Sequence, residues 1–158
     1  MNNHTKPGSS TTAEQSVRRV LVATNGPEDD PVIRLACDYA KRHKAEAYVV
    51  YVIEVKRTLP IDADIESETA RGEDLLSIAE QIAEEMDFEV QTDLLQAREA
   101  GPALVEEAVE RGVDVIVMGI AYRRKLGDFY IGAVASYVLK HAPCQVWLIR
   151  APMDSSPH

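Results

Sequence analysis

Two glycines and the basic run between them are the residues with most chemistry to offer. Gly119 ends the apolar run Val113 to Met118, Gly132 opens a helical pattern that Pro143 ends, and Arg123-Arg124-Lys125 lies between them. Glycine lets a backbone approach an oxyanion closely, and a helix N-terminus presents unpaired N–H groups to it. The pattern therefore offers a seat to an anion, a phosphate above all. The three cations would capture that phosphate through charge-assisted hydrogen bonds. An exposed loop also carries such cations for solubility or for pairing with acids.

Residues with catalytic potential do not assemble into a constellation. His141 follows Lys140 at a helix end, where the helix dipole already favours a cation. Ser136 sits inside a helical pattern without a GxSxG context. His43 closes a basic helix end, and His4 stands alone in a polar tail. Cys37 and Cys144 have neither CxxC nor metal-ligand spacing, so they read as buried free thiols in a reducing cytoplasm. The order GxxxxGK[ST] of a Walker A loop is absent.

Composition narrows the class. The 158 residues suffice for one domain with a proper core. A net charge of −9 argues against a nucleic-acid surface. No apolar run approaches the ~20 residues that span a bilayer, and the first residues lack the apolar core of a secretory signal. A cytoplasmic protein without direct membrane insertion is the expectation.

The elements that must position the glycines follow from periodicity. Residues 1–16 are Ser/Thr-rich and aperiodic, which predicts a disordered tail. Val20 to Ala23 reads as a strand, then Thr24 to Asp30 as a turn. Asp30-Pro31 reads as a cap and first helical residue, with Val32, Leu35, Ala36, Tyr39 and Ala40 on the inner face. Ala47 to Ile53 is apolar without alternation, as in a strand covered on both faces. Glu54 to Arg71 reads as a mobile connection and Glu73 to Met86 as a helix built on Leu75, Leu76, Ala79, Ile82 and Ala83. Phe88 to Leu95 is the third strand. Leu104, Val105, Ala108 and Val109 line the next helix, which Gly112 ends. Val113 to Met118 and Val146 to Ile149 are the last strands, and residues 151–158 form a polar tail. Strands alternating with helices predict an open α/β domain over residues 17–150: five parallel strands with helices on both faces.

From Arg18 to Arg150 the chain resembles the universal stress protein family, an adenine-nucleotide-binding α/β fold of the nucleotide-hydrolase-like type. Gly119 and Gly132 fit the first and third glycines of that family's G-x2-G-x9-G-[S/T] motif, and Gly132 to Val146 is close to its usual helix and final strand. Arg98 to Ala103 and Gly112 to Gly119 match in kind and position. The chain departs from the family at three places: Tyr122 replaces the second glycine, Ala133 the following Ser/Thr, and Asn25 the acid after the first strand. The resemblance implies the strand order 3-2-1-4-5. It also implies a nucleotide site drawn from Ala23, Asn25, Val52, Met118, Gly119, Tyr122, Arg123, Arg124, Gly132, Ala133 and Val134.

The departures predict a weakened site, with the Tyr122 ring a possible occupant of the ligand's space. The ligand expected is ATP or another adenine nucleotide, with no metal beyond a magnesium it carries. A homodimer through Val146, Trp147, Leu148 and Ile149 is implied as well, since an apolar edge strand invites pairing. Alternatively, Trp147 packs under a helix of its own chain. The leading expectation is a non-catalytic dimeric regulatory module with an unknown protein partner. A nucleotide sensor is the first alternative and a weak nucleotide hydrolase the second.

Overall fold

The computed structural model describes residues 16–153. The two predicted tails lie outside these residues except for Ser16 and Ala151 to Met153, and the side chains of Arg123, Arg124 and Lys125 lie outside the description too. The strands are β1 (Arg19–Ala23), β2 (Glu46–Glu54), β3 (Gln91–Ala97), β4 (Val115–Ile120), β5 (Arg123–Lys125), β6 (Asp128–Tyr130) and β7 (Gln145–Arg150). The helices are α1 (Asp30–His43), α2 (Glu66–Glu85), α3 (Ala100–Arg111) and α4 (Ala133–His141), with a 3-10 turn at Pro27–Asp29.

The main sheet has the order β3-β2-β1-β4-β7, and each of its neighbouring pairs is parallel. This is the expected 3-2-1-4-5 arrangement; the last strand becomes the seventh because β5 and β6 form a separate antiparallel hairpin. The hairpin was not foreseen: its strands are three residues each and show no apolar alternation.

Alternate residues of the central strands feed two cores. Val20, Val22, Val49, Tyr51, Ile53, Val115 and Val117 pack with α1 and α2, whereas Leu21, Val50, Ile116 and Met118 pack with α3 and α4. Both faces are covered, which explains the unbroken apolar runs.

Three expectations need correction. Leu35 is 52% exposed, and Ile33 and Cys37 take the inner face of α1 in its place. Val109 is 59% exposed on α3. Both errors come from choosing among adjacent apolar residues when only a stripe of the helix meets the sheet. The third concerns the long connection. Helix α2 begins at Glu66, and Arg98 and Gln96 fasten the segment before it. Arg98 donates to the carbonyls of Lys56 (2.6 Å) and Leu59 (2.7 Å), and Gln96 to those of Ile61 (3.0 Å) and Ala63 (3.1 Å).

Candidate functional site

The chain runs outward from β1 through β2 to β3, then returns to β4 on the other side of β1. In open α/β sheets this reversal leaves a crevice beyond the carboxyl ends of the two central strands. A cavity of about 530 Å³ occupies it, within the range of small-molecule sites.

One end of the cavity is built from β4 and α4. Met118, Gly119, Ile120 and Ala121 line it, as do Ile131, Gly132, Ala133, Val134 and Ala135. A Cβ on Gly119 would stand 2.8 Å from Val32 Cγ2 and 2.9 Å from Asp29 Oδ1, so the close packing needs glycine here. Gly132 is the residue before α4, with φ 91° and ψ 165°, a conformation only glycine adopts readily. No side chain caps this helix, and its first turn lines the cavity, so N–H groups without intrahelical acceptors are open to an acceptor there.

The other end is a polar wall. Thr24, Asn25 and Asp29 come from the loop after β1, Tyr51, Val52 and Glu54 from β2, and Glu68 and Arg71 from α2. Asp29 is only 9% exposed, and its Oδ2 accepts the Asn25 N–H at 2.8 Å. Burial raises the Asp29 pKa above the ordinary carboxylate value, and the hydrogen bond from Asn25 opposes that rise. Arg71 Nη2 donates to the Asn25 carbonyl at 2.7 Å and Nη1 to Tyr51 Oη at 2.8 Å; Tyr51 in turn donates to Glu68 Oε1 at 3.0 Å. The Thr24 hydroxyl is buried and has no hydrogen-bond partner among the described residues. Such a group costs about 1–3 kcal/mol until water or a ligand meets it.

Of the residues expected in a nucleotide site, Ala23, Asn25, Val52, Met118, Gly119, Gly132, Ala133 and Val134 line this one cavity. Tyr122 does not. Its ring stacks on Phe129 with centroids 5.6 Å apart, and the Arg150 guanidinium lies 5.1 Å from its centroid. The space the ligand would need is therefore not filled by that ring. The side chains of Arg123 and Arg124, expected at a phosphate, lie outside the description.

Thr24, Asp29, Tyr51, Glu54, Glu68 and Arg71 were missed as site residues. The acids Glu66 and Glu68 are a first-turn signal that would have started α2 earlier and brought Arg71 into a helix beside the sheet. Asp29 had no distinguishing signal, since turn chemistry explained it equally well.

The thiols are free and ill suited to nucleophilic work. Burial pushes Cys37 up to about 11 and also raises Cys144. Trp147 lies apart from the cavity on β7, edge-on to Tyr39 of α1 with centroids 5.0 Å apart. Among the described residues no helix is long and apolar enough to cross a membrane.

Comparison with known proteins bears on the fold. The model of the universal stress protein family matches residues 16–150. A universal stress protein of Methanocaldococcus jannaschii is 28% identical over 146 residues, covering 88% of this chain and 85% of that protein. A solved universal stress protein from Archaeoglobus fulgidus superposes with a TM-score of 0.71 at 26% identity, covering 84% of this chain and 98% of the other. The structure of the universal stress protein from Archaeoglobus fulgidus in complex with dAMP gives a TM-score of 0.68 at 23% identity, covering 85% and 98%.

Proposed function

Because this chain belongs to the universal stress protein family, we propose that its cavity binds an adenine nucleotide and that the protein acts through partners, without chemistry of its own. The observation that carries the reading is the uncapped N-terminus of α4 opening on the cavity at the sheet's reversal point. A phosphate placed there would meet backbone N–H groups and the positive end of the helix. The dAMP complex of a relative with the same fold supports the choice of ligand.

The site is weakened in comparison with a family member that carries the full motif. Ala133 lacks the hydroxyl that would donate to phosphate, a loss of about 0.5–1.5 kcal/mol. That amounts to about tenfold or less in affinity, which leaves binding intact. Tyr122, held against Phe129 and Arg150, adds no obstruction. The proposed assembly is a cytoplasmic homodimer paired through β7, with nucleotide occupancy tuning what it contacts.

Titration calorimetry of nucleotide-free protein with AMP, ADP, Mg-ATP and cyclic AMP tests the reading. Saturable binding of at least one is expected. Gly132→Ala should weaken it by about tenfold or more, because strain of about 1–3 kcal/mol at this backbone position shifts the first turn of α4. No heat with any of the four, together with no nucleotide carried through purification, would refute the proposal.

A further inference from the structure

The cavity's polar wall is organised around one residue of the loop after β1. Asn25 is held by both of its backbone groups: Asp29 Oδ2 takes its N–H at 2.8 Å, and Arg71 Nη2 donates to its carbonyl at 2.7 Å. Arg71 is itself fixed by Tyr51 Oη at 2.8 Å, which is oriented by Glu68 at 3.0 Å. Three elements thus converge on a single loop residue. Helix α2 comes close enough to do this because Gly72 packs on the sheet: a Cβ there would lie 2.5 Å from Leu94 Cδ1 and 2.7 Å from Tyr51 Cδ1.

The expenditure of Arg71 on this wall is informative. A guanidinium lining a nucleotide cavity would ordinarily be assigned to phosphate. Here two of its donors are committed to the Asn25 carbonyl and the Tyr51 hydroxyl. The anion seat lies elsewhere, at the uncapped start of α4. Asp29 is likewise engaged with the loop it sits in. Asn25 lines the cavity and is exposed, and both of the hydrogen bonds that fix it are made by its backbone. A carboxamide offers a donor and an acceptor side by side, which suits sugar hydroxyls or the amino-and-ring-nitrogen edge of adenine.

We propose that Arg71 is a positioning residue which, with Asp29, clamps Asn25 so that its carboxamide reads the sugar–base end of a nucleotide whose phosphate lies at α4. The ligand part of this inference rests on the nucleotide reading above. The clamp itself does not.

Two measurements separate them. Arg71→Met keeps the aliphatic stem but removes every donor, and amide hydrogen exchange across residues 24–30 reads the clamp without any ligand. Exchange in this loop should quicken by about tenfold in the variant while the strands keep their protection. Unchanged exchange overturns the clamp whatever the nucleotide does.

AMP titration of the wild type, Arg71→Met, Asn25→Ala and the double variant then reads the role. Arg71→Met and Asn25→Ala should each weaken AMP by about tenfold, and the double variant by less than about twofold beyond Asn25→Ala alone, because Arg71 acts through Asn25. Independent, multiplying losses would make Arg71 a separate contact and sink the positioning role. An unchanged AMP affinity in Arg71→Met would do the same while leaving nucleotide binding in place. Wild-type protein that binds neither AMP nor the other nucleotides would remove the nucleotide reading and the ligand role of Asn25 together.

Discussion

Asp29 shows how a residue's environment redirects its chemistry. The loop folds its carboxylate back to accept the Asn25 N–H, in the lee of Gly119, where a side chain would collide with it. Burial raises its pKa above 3.8, so between that value and the folded pKa the native state binds more protons than the unfolded chain. The sign follows directly: stability falls as pH rises through this window, and the whole cost is present above the folded pKa. Asp29→Asn removes the titration. Urea unfolding of the two proteins from pH 4 upward should show the wild type losing ground to the variant as pH climbs, with a plateau near neutrality. A constant gap would mean that Asp29 is not charged against a burial penalty. Sequence made Asp29 one acid among several in a turn, and only the return of β4 beside β1 made it a buried one.

At the scale of elements, the hairpin β5–β6 and the early start of α2 both bear on the cavity. The hairpin rises from the mouth of the cavity, since Ala121 and Ile131 at its feet both line the cavity. Its tip, Leu126, is 96% exposed. Tyr122 packs with this element, against Phe129 and Arg150, and does not line the cavity. Tyr122→Gly, which restores the family's glycine, should therefore change nucleotide affinity by less than about threefold, while protease nicking near Leu126 accelerates as the stack is lost. A large gain in affinity on calorimetry would instead place the ring in the cavity. The start of α2 was misread because Pro60 and the acids of residues 54–71 look like connection, and its amphipathic signal is carried only from Leu75 onward. Tertiary contacts outvoted local pattern there, through Gly72 on Tyr51 and Leu94 and through the Arg98 and Gln96 tethers.

For the whole molecule, the outer edge of β7 is the feature that bears on assembly. That strand pairs with β4 on one side and ends the sheet on the other. Val146 and Leu148 lean toward the α3/α4 core, Trp147 and Ile149 toward the α1/α2 core, and all four are half-buried within their own chain. Trp147 thus already has a partner in Tyr39, while no strand among the described residues pairs with the outer backbone edge. An edge of this kind is a template for another strand. Sedimentation should give about twice the 17.5 kDa chain mass. Ile149→Asp, which places a charge in this half-buried strand, should shift the population to monomer, with far-UV circular dichroism separating that outcome from loss of fold. A wild type that sediments as a monomer at micromolar concentration would end the dimer proposal.

The sequence by itself determined the α/β class, the number of strands in the sheet and the two glycines that line the cavity. Those depend on local signals: apolar runs, helix breakers, and a backbone conformation only glycine adopts. What it could not determine was which side chains face one another across the cavity. Arg71 and Asn25 are 46 positions apart, and nothing in either neighbourhood marks the pairing. Their meeting requires α2 to lie on β2 and β1 to lie beside it, which is a property of the packed sheet. The direction of Tyr122 was decided the same way, by Arg150 arriving at the end of β7 to hold its ring outside.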